Sequence, residues 1–266
     1  MRKIWIAGAV AAIAATVLVA GAAYAVNTYV VDIASGGPGN KAGSAAKPLP
    51  VFLNFGYEVG DTEDLRPSVI NQYFIAAEGI KYFPKARPTC TFSQADESPA
   101  YNSKCKAAKV GKGTIKNAFG AADNRNAKAP CDVKLTLLNI SNGPKVTKKR
   151  GGMAIRIDTG PPDCPLEIHG SLAAPIYDVK IQGIPTSELR FKVPDSLVHP
   201  APGVDNSVID VVSKVLRVTG KVKVHGKKLK VGFASAVGRK GKQRTVRVTF
   251  VDETNHRFTA FTTFPK

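Results

Sequence analysis

The sequence VFLNFGYEV, residues 51–59, decides the fold of this chain, because every odd position is apolar and the positions between are mostly polar or small. Successive side chains of a β-strand point to opposite faces, so such a segment has one buried face and one solvated face. The same alternation recurs at residues 133–137, 153–158, 177–182 and 188–193. Strands that are buried on one side only are typical of antiparallel sheets.

Turns rich in glycine and proline separate these segments, at residues 142–144, 151–152, 160–162 and 200–203. Many short strands divided by such turns predict an all-β protein. We expect an antiparallel β-sandwich of the jelly-roll or Ig-like kind, followed by a C-terminal β-meander. Helical periodicity is nearly absent, and only residues 67–77 are compatible with a short helix.

The chain begins with the features of an export signal. Arg2 and Lys3 precede an apolar run over residues 4–23, which ends in Ala23-Tyr24-Ala25. Small residues at the first and third positions of that tripeptide suit a signal peptidase, so we place cleavage after Ala25. The alternative is an uncleaved membrane anchor over residues 4–25, since roughly 20 apolar residues can span a bilayer. The run is rich in Ala and Gly and no basic cluster follows it, which favours cleavage.

These features divide the chain into four parts. Residues 1–25 are the signal peptide, and residues 26–49 are a short strand with a linker of Gly, Ala and Pro. The β-sandwich takes residues 50–213. Residues 214–266 form a basic β-meander, which belongs either to the same sandwich or to a small second domain.

The four cysteines indicate two disulfides. An even number of cysteines in an exported chain is typical of a disulfide framework. Four cysteines allow three pairings, and we prefer the sequential one, Cys90–Cys105 with Cys131–Cys164. A zinc site is the alternative, but the sequence has neither a C-x2-C nor an H-x3-H spacing.

Positive charge is concentrated near the C-terminus. Residues 214–266 contain 14 Lys and Arg against the two acids Asp252 and Glu253. In the proposed meander, strand alternation assigns six cations to the outer face of one sheet. They are Arg217, Lys221, Lys223, Lys228, Lys230 and Arg247. Outside the cytoplasm the available polyanions are envelope polymers and anionic lipids, so we expect these rather than nucleic acid as partners.

Motifs for catalysis or cofactor binding are missing from the sequence. It has no G-x-S-x-G, H-E-x-x-H, Walker A or G-x-G-x-x-G pattern, and it implies no cofactor. The four histidines stand apart from one another, and His169 fits a half-buried residue better than a metal ligand. The loop Asp61-Thr62-Glu63-Asp64 is either a solvated charged loop or a calcium site. The only tryptophan, Trp5, lies in the signal segment, which weakens the case for a carbohydrate-binding module.

Four segments together carry a family resemblance. They are residues 50–55, Pro88-Thr89-Cys90 with Cys105, residues 193–206, and residues 238–246 leading into 249–253. The mature chain resembles uncharacterised, predicted-secreted β-rich proteins that occur in many copies in some high-GC Gram-positive bacteria. The resemblance implies export and a β-rich architecture, and it implies no activity. Members often have a further cysteine pair near the positions of Arg239 and Pro265, which this sequence lacks.

We therefore expect a secreted or envelope-associated, non-enzymatic protein whose basic C-terminal sheet meets an anionic polymer or lipid surface. One alternative is an extracellular hydrolase of a polymer, because a carboxylate pair is defined in space rather than in sequence. The other is a passive structural or adhesion module whose charge serves solubility alone.

The cleavage site makes the first testable prediction. The mature protein should begin at Val26, because Ala23 and Ala25 provide the small residues that the peptidase requires. N-terminal sequencing of exported protein checks this. Exported material that retains Arg2 and Lys3 would contradict it and favour the anchor.

Overall fold

The computed structural model describes residues 27–36, 42–97, 103–224, 226–241 and 243–264. The predicted signal peptide, residues 1–25, lies outside the described residues. The strands are β1 (Asn27–Gly36), β2 (Leu49–Pro50), β3 (Phe52–Asp61), β4 (Ile70–Ala77), β5 (Ile80–Tyr82), β6 (Lys109–Ala121), β7 (Ala129–Ile140), β8 (Gly152–Thr159), β9 (Ile168–Ile181), β10 (Ile184–Lys192), β11 (Val204–Val215), β12 (Thr219–Val224), β13 (Lys227–Gly232), β14 (Ala234–Ala236), β15 (Arg244–Asp252) and β16 (Arg257–Phe264). Three short helices, α1 (Phe92–Asp96), α2 (Ser103–Ala108) and α3 (Asp195–Val198), and a 3-10 turn, Pro84–Ala86, complete the described elements.

Eleven strands form one antiparallel sheet, in the order β1-β3-β11-β6-β7-β8-β9-β10-β4-β15-β16. The sheet curls until its edge strands, β1 and β16, come into contact. The predicted all-β, antiparallel class is confirmed. The layers that face one another across the core are opposite halves of this one sheet. Two small sheets, β12-β13 and β2-β14-β5, lie beside it.

Aromatic side chains join the two halves across the interior. Tyr57 on β3 meets Phe250 on β15 with ring centroids 5.3 Å apart. Tyr73 on β4 stacks on Phe191 on β10 at 4.9 Å, and Tyr57 lies 5.7 Å from Tyr73. The rings of Tyr73 and Phe191 belong to neighbouring strands, whereas the contacts of Tyr57 with Phe250 and Tyr73 join strands that do not pair with each other and help to hold the sheet in its curled form.

A bulge in β11 changes which of its residues point inward. The pairing of β11 with β6 shifts between Val208 and Asp210. A bulge adds one residue to one strand and so reverses the alternation beyond it. Asn206 and Val208 therefore share the inner face with Val211, whereas the bulged residue Ile209 is exposed.

The region predicted as a possible helix, residues 67–77, contains strand β4 instead. Ile70 and Tyr73, three residues apart, are both buried, which imitates helical spacing. The cause is a register shift opposite Val251 and Asp252, which alters the alternation at the start of β4. From Tyr73 onward the strand alternates regularly.

The C-terminal region is also not the continuous meander that the sequence predicts. β12 and β13 pair only with each other. The chain then enters β14, which pairs with β2 and β5, before β15 joins β4 and β16 in the large sheet. Strands of the last segment thus contribute to three different sheets.

The first disulfide fixes two small helices against the outside of the sheet. Thr91 caps α1 through a reciprocal pair of hydrogen bonds with Gln94, and Cys90–Cys105 ties the start of this segment to α2. Arg156 on β8, fully buried, donates to the carbonyl of Ala95 at 2.8 Å and to the carboxylate of Asp158. The helices therefore cover part of the outer face of β7, β8 and β9.

The second disulfide, Cys131–Cys164, is also the one preferred from the sequence, and it joins β7 to the loop before β9. It closes a loop of 33 residues. Replacing Cys131 and Cys164 together by Ala should lower the free energy of unfolding by roughly 3–4 kcal/mol, because the unfolded chain regains that loop entropy. Denaturant unfolding of the variant and the wild type measures the loss. An unchanged free energy of unfolding would contradict the prediction.

Candidate functional site

The hairpin of β12 and β13 carries a face made of lysines. Its register places Lys221 opposite Lys230 and Lys223 opposite Lys228. Residues two apart on a strand share a face, so these four side chains lie on the same side of the hairpin. All four are exposed. We call this surface the lysine face.

The opposite side of the hairpin is held against the body of the protein. Val231 is fully buried, and Val222 and Leu229, which face one another across the hairpin, are half-buried. The hairpin packs on the 3-10 turn, and a Cβ at Gly220 would collide with the carbonyl of Ala86. The lysine face is therefore presented by a hairpin whose position is set by packing.

The register of the lysine face has an electrostatic cost. Like charges directly opposite one another destabilise a strand pair by a few tenths of a kcal/mol or more. Within the described ranges, none of these four lysines forms an ion pair with a carboxylate of the chain. A bound anion would offset the repulsion that the fold leaves in place.

The other two predicted cations do not join the lysine face. Arg217 is exposed but precedes β12, outside the hairpin. Arg247 lies on β15 in the large sheet, where it donates to Glu188 at 2.7 Å. The prediction that all six share one sheet is wrong for Arg217, which lies in no strand, and for Arg247, because β13 does not pair with β15 and the chain crosses to another sheet between them.

Two histidines form carboxylate clamps that the sequence analysis missed. His199, after α3, has Nδ1 3.0 Å from Asp205 and Nε2 against Glu253 in the turn before β16. His169 on β9 has Nδ1 3.1 Å from Asp158 and Nε2 3.0 Å from Glu167. Glu167 lies two residues from His169, so this contact could have been inferred from the sequence. The contacts with Asp158, Asp205 and Glu253 depend on how the chain folds.

Hydrogen bonds to these carboxylates raise the pKa of both histidines. The largest contribution comes from Glu253 for His199 and from Glu167 for His169. Both nitrogens of each ring are engaged, so neither imidazole offers a free nitrogen to a substrate or metal. We interpret these clamps as structural links between loops and strands.

In the acidic loop, residues 61–64, the two aspartates pair with cations of the protein itself. Asp61 is buried beside Arg125, at 2.7 Å, and also accepts from the backbone N–H of Glu63. Burial alone would raise its pKa, but these two donors together lower it. Asp64 pairs with Lys128 at 3.1 Å. Among the described residues there is no group of three potential metal ligands, and none of their helices is long and apolar enough to cross a membrane.

The His199 clamp should make stability depend on pH. A raised pKa in the folded state means that the stabilising imidazolium is fully present below about pH 6.5 and is lost as the pH rises through the folded-state pKa. His199→Gln should therefore lower the melting temperature at about pH 5 and have little effect at about pH 9. Thermal unfolding of both proteins at the two pH values measures this. An equal loss at both would show that only packing is involved.

Comparisons of the chain with known protein families, with curated proteins and with solved structures found no match.

Proposed function

We propose that the mature chain is an exported, non-enzymatic protein that binds an anionic polymer or lipid surface of the cell envelope through the lysine face. The supporting observation is the direct opposition of two lysine pairs on an exposed hairpin. Stability alone gives no reason to place them opposite one another. An anionic partner would provide such a reason, because it would offset the repulsion between the lysines.

The neighbouring charges strengthen this argument. Several other cations of the protein have a carboxylate within reach, as with Arg247 and Glu188 or Arg125 and Asp61. The lysine face differs, because its charge is available to a partner. Each lysine close to an anionic membrane contributes about 1 kcal/mol of binding, so four together can hold a protein on such a surface.

The two disulfides support a location outside the cytoplasm. Disulfides form and persist in oxidising environments such as the cell exterior and are rare in the cytosol. Both cysteine pairs are bridged. Together with the predicted signal peptide, this favours export, where the available polyanions belong to the envelope.

The hydrolase alternative has less support among the described residues. A glycosidase needs two carboxyl groups facing one substrate, one of them able to donate a proton. The carboxylates around His199, His169 and Arg125 are instead engaged with cations or histidines of the chain. The passive-module alternative remains the direct competitor, and the following experiment separates the two.

The test replaces Lys221, Lys223, Lys228 and Lys230 by Gln. Retention on isolated envelopes, or on phosphatidylglycerol vesicles, should fall at least about tenfold at low salt. Binding by the wild type should also weaken with salt, because the Debye length falls from about 10 Å at 0.1 M to about 3 Å at 1 M. Sedimentation of protein with envelopes or vesicles measures both effects.

A matched control replaces Lys106, Lys145, Lys148 and Lys149, which are exposed elsewhere on the protein. It removes the same number of charges, so it should retain binding if position matters. Competition with soluble polyphosphate, without any lipid, distinguishes a polymer partner from a membrane. If the hairpin variant folds normally and is retained as strongly as the wild type, the charge serves solubility alone.

A further inference from the structure

The curled sheet does not fill its own interior. A cavity of about 130 Å³ lies between its two halves, lined by inward-facing side chains of most strands. A dry engineered cavity of about 150 Å³ holds a benzene molecule, so this space is large enough for a hydrocarbon group.

The lining of the cavity extends along a large part of several strands. Along β11 its lining runs from Asn206 to Val215, which is roughly 30 Å of strand. Along β3 it runs from Leu53 to Tyr57. A small volume spread over such a length suits an extended alkyl chain better than a ring system.

The lining is apolar and uncharged. Val, Leu, Ile and aromatic side chains make up most of it, and none of the described residues that line it is Lys, Arg, Asp, Glu or His. Phe55, Ile75 and Phe191 point inward yet remain partly accessible. Covering this surface would release water from apolar groups, which favours a hydrocarbon ligand.

Besides Ser213 and three tyrosines, the lining of the cavity contains two amides. Asn206 is on β11, and Asn117 on β6 stands opposite Val208, so the amides are diagonal neighbours roughly 7 Å apart. Both residues are more than nine-tenths buried. Asn206 donates through Nδ2 to the carbonyl of Leu197, beside α3.

The carbonyl oxygens of these amides lack donors. Neither Oδ1 of Asn117 nor Oδ1 of Asn206 accepts a hydrogen bond from any residue that the structure describes. Buried acceptors are normally paired, because an unpaired one keeps its desolvation cost. A ligand hydroxyl in the cavity would supply the missing donor.

We propose that the cavity binds a neutral, single-chain amphiphile whose hydroxyl head group donates to Oδ1 of one of these two amides, Asn117 or Asn206. Its alkyl chain extends from there toward Leu53 and Val215. A fatty acid anion is disfavoured, because its carboxylate would be buried among acceptors with no cation to pair with it. This site is separate from the lysine face, so either proposal can fail without the other.

The test measures displacement of cis-parinaryl alcohol, a fluorescent straight-chain polyene alcohol, from the purified protein by straight-chain primary alcohols, from hexanol to dodecanol. Affinity should rise about fourfold with each added methylene until the cavity is filled, and then level off. The carboxylate of the same chain length should bind at least about tenfold more weakly. The methyl ether, which has no donor, should also bind more weakly than the alcohol.

Two kinds of variant test the location. Val211→Phe fills the cavity and should abolish displacement by the alcohols, whereas Val212→Phe, on the adjacent outward-facing position with 55% exposure, should not. Either Asn117→Leu or Asn206→Leu, whichever removes the acceptor of the hydroxyl, should remove the preference for alcohol over ether while leaving binding of the ether. If Val211→Phe does not fold, the proposal is tested instead by comparing how the wild type and the Asn variants bind the alcohol, the carboxylate and the ether.

Several outcomes would overturn the proposal. These are no binding of any alcohol by the wild type, equal binding of alcohol and carboxylate, or an undiminished preference for alcohol in both Asn variants. Unchanged displacement in a folded Val211→Phe protein would place the ligand elsewhere.

Discussion

A single sheet has to bury its own apolar face, and much of this structure depends on that constraint. With no second large layer to pack against, eleven strands curl until the halves of one sheet face each other. Tyr57 contacts Phe250 and Tyr73, which lie on strands that do not pair with β3, and Tyr73 stacks on Phe191 of the neighbouring strand. The curled sheet leaves an unfilled space, which Tyr57, Tyr73 and Phe191 help to line.

Two arginines are buried in the fold together with the groups that neutralise them. Arg66 and Arg156 are almost fully buried, and each satisfies its guanidinium with backbone carbonyls and one aspartate. Such arginines connect distant segments, because a buried charge without partners would be far more costly than a paired one. The lysine face, by contrast, directs its charge at solvent. The inside and the outside of the molecule thus differ in chemistry.

Much of the secondary structure follows from the sequence because alternation is a local property. The segments containing Tyr57, Leu135, Ile155 and Leu189 are strands, as their period of two predicts, although both faces of β8 and β10 are largely buried. Prediction failed where a bulge breaks that period, as at the start of β4. The capping of α1 by Thr91 and Gln94 was readable from the sequence, since a Thr followed three residues later by Gln is a signature of a helix start.

By itself, the sequence determined the all-β class, the preferred cysteine pairing and the clustering of Lys221, Lys223, Lys228 and Lys230, because all of these depend on short-range spacing. Only the tertiary structure decided which strands are neighbours. That order separates Arg247 from the lysines, brings His199 to Glu253, and places Asn117 beside Asn206 in the cavity. The physical reason is that alternation specifies which face of a strand is buried, whereas pairing between distant strands depends on how the entire sheet closes around its core.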